Sequence, residues 1–547
     1  MTVRRFLGIT CLFATAAVAC GPAVPDDTAG RDVAPGAAER DLLTRAERTG
    51  YEETTGYDEV VEFIERAAGL SDEIHATSFG STVEGRTLPL VVVGDVADAG
   101  RESVAAAGGI RVWLQANIHG GEVCGKEALL MLLRDLATGR HAAWRSSMVL
   151  LIAPIYNADG NERMALDNRP YQLGPVGGMG TRRNAQDLDL NRDHMKLESP
   201  EARALVRAYR DYNPHVVIDL HTTNGTQHAY HLTYAPPLHP NTHPAIDALL
   251  RNDWLPAVTD AIRASDGWDF YHYGNVPRAE DVPPTWRTFD HRPRFNNNYV
   301  GLRNRIGIIS EAYAYATFEE RVAATLRFVE ESLAFAHAHA DRIATAIEEA
   351  DMERVAGQRL AIRAVPRRSP EPVEILLGRT EEVPHPQTGE PMRRRLDVAE
   401  PTPMDEYVAF EAAEDGVEIA PESYYVPAQL TAVVDLLTAH GIEGLPLDAD
   451  ATLSLEQFVT SRTSLAERPF EGHRLRTVEG VWTTVERALP AGTLYVPVTP
   501  ATGRLVFALL EPRSDDGVVA WNLLDDYIEA GAVYPILRAP AVETPEP

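Results

Sequence analysis

Two imidazoles and one carboxylate in this chain are spaced so that they could close on a single divalent ion. Asn117-Ile118-His119-Gly120-Gly121-Glu122 stands where a strand-like run ends and a helix-like run begins. A His and a Glu three residues apart at such a junction can turn toward one point. Neutral imidazole nitrogen and carboxylate oxygen are both suitable zinc ligands. Gly120 and Gly121 let the backbone turn sharply beside the ion. A second imidazole, His221, ends the run Val216-Val217-Ile218-Asp219-Leu220, at the carboxyl end of another strand. Three protein ligands leave a fourth position for water, which is the catalytic form of a zinc site. The chain has three cysteines, Cys11, Cys20 and Cys124, so neither a cysteine-rich zinc site nor an intrachain disulfide framework is available. Cys124, two residues past Glu122, reads as a buried and inert thiol.

The elements that must position these groups alternate. Leu88 to Val93, Ile110 to Asn117, Met148 to Pro154, His215 to Leu220 and Ile306 to Ser310 read as strands. Ala128 to Leu136 has helical spacing, and Thr317 to Ala350 reads as one or two long helices. Ser199 and Pro200 form a helix start for the segment running to Tyr212. This alternation points to an α/β fold, with a central sheet and helices on both faces. Ligands in such folds gather beyond the carboxyl ends of the strands. After about residue 353 the chain turns β-rich, with Thr493 to Val498 and Leu505 to Leu510 as strand-like pieces. Gly174 to Gly180 reads as a mobile loop; without a preceding strand or a following Lys-Ser/Thr, it is no phosphate cradle.

Further pieces follow the His-x-x-Glu in order, and with them the chain resembles the carboxypeptidase A-like zinc metallocarboxypeptidases over roughly residues 55 to 345. Asn157-Ala158-Asp159-Gly160 is similar to that family's Asn-Pro-Asp-Gly, and Thr181-Arg182-Arg183-Asn184 to its Trp-Arg-Lys-Asn. Its Asp-x-Asn-Arg is present as Asp189-Leu190-Asn191-Arg192, and its late catalytic Glu falls on Glu311. The resemblance implies a mixed twisted sheet and one zinc ion held by His119, Glu122 and His221. It implies Glu311 as general base and Arg182, with Arg183 as its rival, as the charge that meets the oxyanion. Asn191 and Arg192 would hold the terminal carboxylate of a peptide, because the planar fork of Arg accepts a carboxylate bidentately. Asp189 would fix the His119 ring, with Asp219 as a further or alternative partner. The family's pocket tyrosine has no clear equivalent; Tyr299 is the nearest candidate, with Tyr313 and Tyr315 as rivals. Gly121 stands where the family's archetypes carry Arg.

The same residues leave two other readings open. Aspartoacylase-like amidohydrolases of N-acyl amino acids show a similar Asp-Leu-His-Thr, here Asp219-Leu220-His221-Thr222. An inactive, lipid-anchored binding module on the same fold is the other.

Length and charge set the frame. At 547 residues the chain is too long for one ordinary core. A formal net charge of -29 argues against nucleic acid as a partner and against a polybasic hold on anionic lipid. Residues 1–20 combine Arg4-Arg5, the apolar Phe6 to Ala19 and small residues before Cys20. The stretch is too short to span a bilayer. It resembles a bacterial lipoprotein signal with Cys20 as the lipidated residue, although Ala17 stands where Leu is usual; cleavage after Ala19 by an ordinary signal peptidase is the alternative. The expected organisation is a signal over 1–20, a flexible tether over 21–45, a catalytic domain over 46–352 and a β-rich accessory domain over 353–547. The expected location is beyond the inner membrane, periplasmic or anchored at the outer membrane.

Overall fold

The alternating segments assemble into one eight-stranded sheet in the computed structural model, which describes residues 42–277 and 284–543. The leader, Cys20 and the tether up to residue 41 lie outside those residues. The strands are β1 (Ile74–Ser81), β2 (Thr87–Val93), β3 (Ile110–Ala116), β4 (Met148–Ala153), β5 (Val216–Thr222), β6 (Leu232–Ala235) and β7 (Phe270–His272). After β8 (Thr285–Arg287), which stands outside this sheet, β9 (Ile306–Ala312) completes it. Their order is β1-β2-β4-β3-β5-β9-β6-β7. The central β4, β3, β5 and β9 run parallel, and β1, β2 and β6 join antiparallel, so the sheet is mixed, as expected. Central parallel strands are covered on both faces, which is why they read as unbroken apolar runs; β4 is buried at every position.

Side-chain alternation along the strands separates two cores. Val112 and Leu114 of β3 and Ile218 and Leu220 of β5 face helices α1 (Tyr57–Ala68), α2 (Cys124–Ala137), α5 (Phe318–Ala338) and α6 (Ala340–Met352). Trp113 and Val217 face the other way, toward α3 (Pro200–Tyr212) and α4 (Asn296–Leu302). Local chemistry sets the helix starts. Ser199 accepts from the Ala202 amide with Pro200 in the first turn, and Thr317 and Glu320 cap α5 reciprocally. The long helical run predicted from Thr317 is two helices, broken at His339.

The chain beyond Met352 is β-rich. It holds a six-stranded antiparallel sheet built around the long hairpin Ala451–Leu465/Arg476–Leu489. A second long hairpin, Val373–Pro384/Pro391–Tyr407, lays its last residues parallel to β8. One strand expectation fails here. Leu505 to Leu510 lies in a helix, Gly503–Leu510, every residue of which is buried. A short apolar run buried on all sides has no periodicity to separate helix from strand.

Apolar packing does not stop at Met352. Leu505, Phe507, Leu509, Tyr424 and Val496 belong to the same cluster as Trp113 of β3 and Leu205 of α3. The C-terminal lobe therefore covers one face of the catalytic sheet through α3 and α4. A chain ending at Met352 would expose that surface; we expect it to aggregate or to lack a cooperative thermal transition. A soluble, cooperatively melting 1–352 chain in calorimetry would contradict the shared core.

Candidate metal centre

The parallel strands deliver their carboxyl ends to one edge of the sheet, and the ligands collect there. Leaving β3, Asn117 adopts a left-handed conformation (φ 63°) and its side-chain amide donates to the Gly120 carbonyl at 3.1 Å. The two glycines that follow are required by backbone packing. A Cβ on Gly120 would lie 2.4 Å from the carbonyl carbon of Gly160, and one on Gly121 2.4 Å from the Gly180 carbonyl oxygen. The Gly174 to Gly180 segment is therefore not the mobile loop expected: its end is wedged against the metal-binding turn, with Met179 buried beside Val123 and Cys124. The Cys124 thiol is buried and burial raises its pKa, in keeping with an inert role.

His119, Glu122 and His221 are all buried, and one ligand atom from each lies within 4.8 Å of the others. Nδ1 of His119 is 2.9 Å from Glu122 Oε1, and Nδ1 of His221 is 2.9 Å from Glu122 Oε2. The opposite ring nitrogens meet carboxylates too. His119 Nε2 is hydrogen-bonded to Asp189 Oδ1 at 3.1 Å, and His221 Nε2 lies 3.2 Å from Asp219 Oδ2. A carboxylate that takes the Nε2–H leaves Nδ1 as a lone pair, aimed at the common point; this is the arrangement of metal-binding histidines. Burial alone would lower the His221 pKa, yet Asp219 and Glu122 raise it well above its ordinary value. The donor set thus asks for positive charge at its centre, and two imidazoles with one carboxylate suit zinc.

Glu311 stands directly beside His221, because the two residues are paired in the β5–β9 register and leave the sheet on the same face. Burial pushes its carboxyl up to about 8, with the charge of Glu122 adding and those of His221 and Arg182 opposing. Arg182 reaches the same cleft. Its Nε donates to Asp189 Oδ2 at 2.9 Å, and its Nη1 lies 3.4 Å from His119 Nδ1. Arg183, the rival, turns away to Glu471 of the C-terminal lobe. Asn191 is buried and accepts from the Asn296 amide at 2.9 Å. Arg192 stacks on Phe295 at 3.8 Å, and among the described residues no carboxylate lies within ion-pair distance of it.

The tyrosine expectation is corrected. Tyr299 sits inside α4, fully buried, and its hydroxyl meets His440 Nδ1 of the C-terminal lobe at 2.9 Å. Helical spacing turns it onto the packed face rather than into the cleft. Tyr313 is buried against His228 and Tyr315, and the Tyr315 hydroxyl reaches the Gly225 carbonyl at 3.4 Å. Another tyrosine, Tyr273, packs beside the strand that carries Glu311. It packs with Ile309, two residues before Glu311; burial and then the charge of Glu311 raise its pKa, and Asn275 donates to its hydroxyl at 3.0 Å. No local pattern marks it in the sequence. Arg169 was also illegible. It donates to Glu122 Oε1 at 2.7 Å, and its Nε would be 2.8 Å from a Cβ on Gly121. A guanidinium from a distant loop thus fills the space above the glycine that replaces the archetypal Arg.

Known proteins resemble this chain in sequence and, more weakly, in fold. The zinc carboxypeptidase family matches residues 60–247, which hold all three ligands but not Glu311. Carboxypeptidase 2 of Trichophyton tonsurans is 23% identical over 502 residues, covering 88% of this chain and 86% of its own. Carboxypeptidase Z of Mus musculus is 31% identical over 150 residues, 26% of this chain and 22% of its own. A solved metallo-carboxypeptidase from Pseudomonas aeruginosa, in complex with (2-guanidinoethylmercapto)succinic acid, is 18% identical with a TM-score of 0.37, over 52% of this chain and 69% of that one.

Substituting a ligand tests the centre. We expect the wild-type protein to hold roughly one zinc per chain and His221→Ala to hold almost none, with an unchanged far-ultraviolet spectrum. Full zinc content in His221→Ala by atomic absorption would remove that residue from the centre.

Proposed function

We propose that this chain, whose residues 60–247 match the zinc carboxypeptidase family, removes single residues from the free carboxyl end of peptides. The observation that carries this reading is the pairing of His221 with Glu311 in adjacent strands, which sets a proton acceptor beside the ligand cluster. When bound, zinc supplies a Lewis acid and lowers the pKa of its water toward ~7.

The chain's own groups do the rest. Glu311 accepts the proton of the attacking water and passes it to the leaving amine. Arg182 donates to the oxyanion that develops on the scissile carbonyl, and Asp189 keeps its guanidinium in place. Arg192 and Asn191 take the terminal carboxylate. The stacked guanidinium, without an ion-pair partner among the described residues, supports this, since its charge can meet a substrate carboxylate. That contact makes the enzyme act at chain ends. Tyr273 supplies the phenol of the cleft, the part expected of Tyr299. Residues 1–20 export the chain, and a lipid on Cys20 holds it at a membrane, in the periplasm or at the outer membrane; the basic start and the small residues before Cys20 support this.

Glu311→Gln should lower kcat by about 10²–10⁴-fold with zinc retained; an active Glu311→Gln enzyme would assign the base elsewhere. Arg192→Ala should lower kcat/KM by roughly 10–100-fold, the loss of a charge-assisted hydrogen bond. Peptides with an amidated carboxyl end should resist wild type equally. Digestion of a peptide library and of N-acyl amino acids, read by mass spectrometry, decides the class. Turnover of the acylated amino acids alone would make the protein an amidohydrolase. Cys20→Ser should move the protein from the membrane fraction to the soluble fraction on expression in a lipoprotein-processing host; unchanged partition would contradict the anchor.

A further inference from the structure

The tip of the long C-terminal hairpin enters the rim of the metal centre. Between strands Ala451–Leu465 and Arg476–Leu489 the chain turns at Phe470–His473, where Phe470 and His473 exchange backbone hydrogen bonds. Glu471 and Gly472 both adopt positive φ, 48° and 82°. Glycine takes this conformation freely, whereas glutamate is strained there, and such strain persists only where the surroundings enforce it. Side-chain contacts on both sides hold the turn. His473 Nε2 meets Glu198 Oε1 at 2.7 Å and its Nδ1 meets Asn522 Oδ1 at 3.3 Å, Phe470 and His473 both pack on the Trp521 ring, the Arg294 guanidinium lies 5.0 Å from the Phe470 ring, and the Glu471 side chain is 4% exposed.

Glu471 makes two kinds of bond. Its Oε1 accepts from Arg183 Nη2 at 2.9 Å, and its Oε2 accepts from Arg183 Nη1 at 3.1 Å and from the backbone amide of Asp189 at 3.0 Å. Asp189 is the residue whose carboxylate holds His119 by one oxygen and Arg182 by the other. The same carboxylate also accepts from the Asn191 amide at 2.9 Å. Metal ligands depend on such outer contacts for ring orientation, and losing one typically costs 10–100-fold in affinity or activity.

We propose that Glu471 is a positioning residue of the metal centre: the C-terminal lobe fixes the Asp189 backbone through it, and thereby the His119 ring and the Arg182 guanidinium. This rests on the reading of Asp189 as the partner of a zinc-binding His119. The lobe is then part of the active site, not a separate attachment. Arg183 anchors the Glu471 carboxylate but takes no part in the relay.

Two substitutions of nearly the same size separate positioning from the ion pair. Glu471→Gln loses the charge that pairs Arg183 but keeps an oxygen for the Asp189 amide. Glu471→Met loses both, and Glu471→Ala serves as a second variant without an acceptor. Zinc release to excess chelator is followed in the full-length protein well below its melting temperature, together with kcat and KM. The Gln variant should release zinc within about twofold of wild type. The Met or Ala variant should release it about tenfold faster, with kcat lowered and KM little changed. Equal behaviour of the Gln and Met variants, whether both fast or both like wild type, overturns the proposal, as does failure of the Gln variant to fold. Wild-type protein that binds no zinc would instead overturn the metal-site reading itself.

Discussion

Everything in the cleft depends on two imidazoles each held between two carboxylates. His119 lies between Glu122 and Asp189, and His221 between Glu122 and Asp219. Buried carboxylates in that number cannot stay ionised in a weakly polar interior without positive charge among them. Arg169 and Arg182 supply part of it from one side. A divalent ion held by the two Nδ1 atoms and the Glu122 carboxylate would supply the rest, and both rings present the same nitrogen to that point. Sheet topology makes this meeting possible. Parallel strands bring their carboxyl ends to one edge, so residues about a hundred positions apart become neighbours.

Second in importance is the way the C-terminal lobe is joined. It shares apolar core with the catalytic sheet, buries the hydroxyl of Tyr299 against His440, pairs Asp516 with Arg294 and extends Glu471 to Asp189. The face of the sheet that carries Asp219, His221 and Glu311 is the face this lobe covers. A boundary drawn where composition changes misses this, because composition reports exposure and turn content rather than which surfaces are in contact.

The legible part of the sequence was what local order encodes. Strand ends marked His119 and His221, a Ser-Pro pair marked α3, and the ordered pieces from Asn157 to Glu311 located the cleft. The Asp-Leu-His run put Asp219 beside its histidine, since residues two apart on a strand share a face. Illegible was whatever depends on direction or distance. Tyr299 was the right type near the right place, but its helix turns it into the core. Leu505 to Leu510 was a helix read as a strand. Arg169, Tyr273 and Glu471 reach the site from loops and a hairpin tip with no motif around them. Gly121 was the one hint of Arg169: a glycine where an arginine is usual leaves room for another side chain.

Anomalous diffraction at the zinc edge from crystals of the zinc-loaded protein would show whether the two imidazoles and Glu122 share one ion. One strong peak is expected, bonded to Nδ1 of His119, Nδ1 of His221 and the Glu122 carboxylate at about 2.0–2.2 Å, with the Glu311 carboxyl facing it. A peak elsewhere, or one that leaves His221 uncoordinated, would contradict a shared ion.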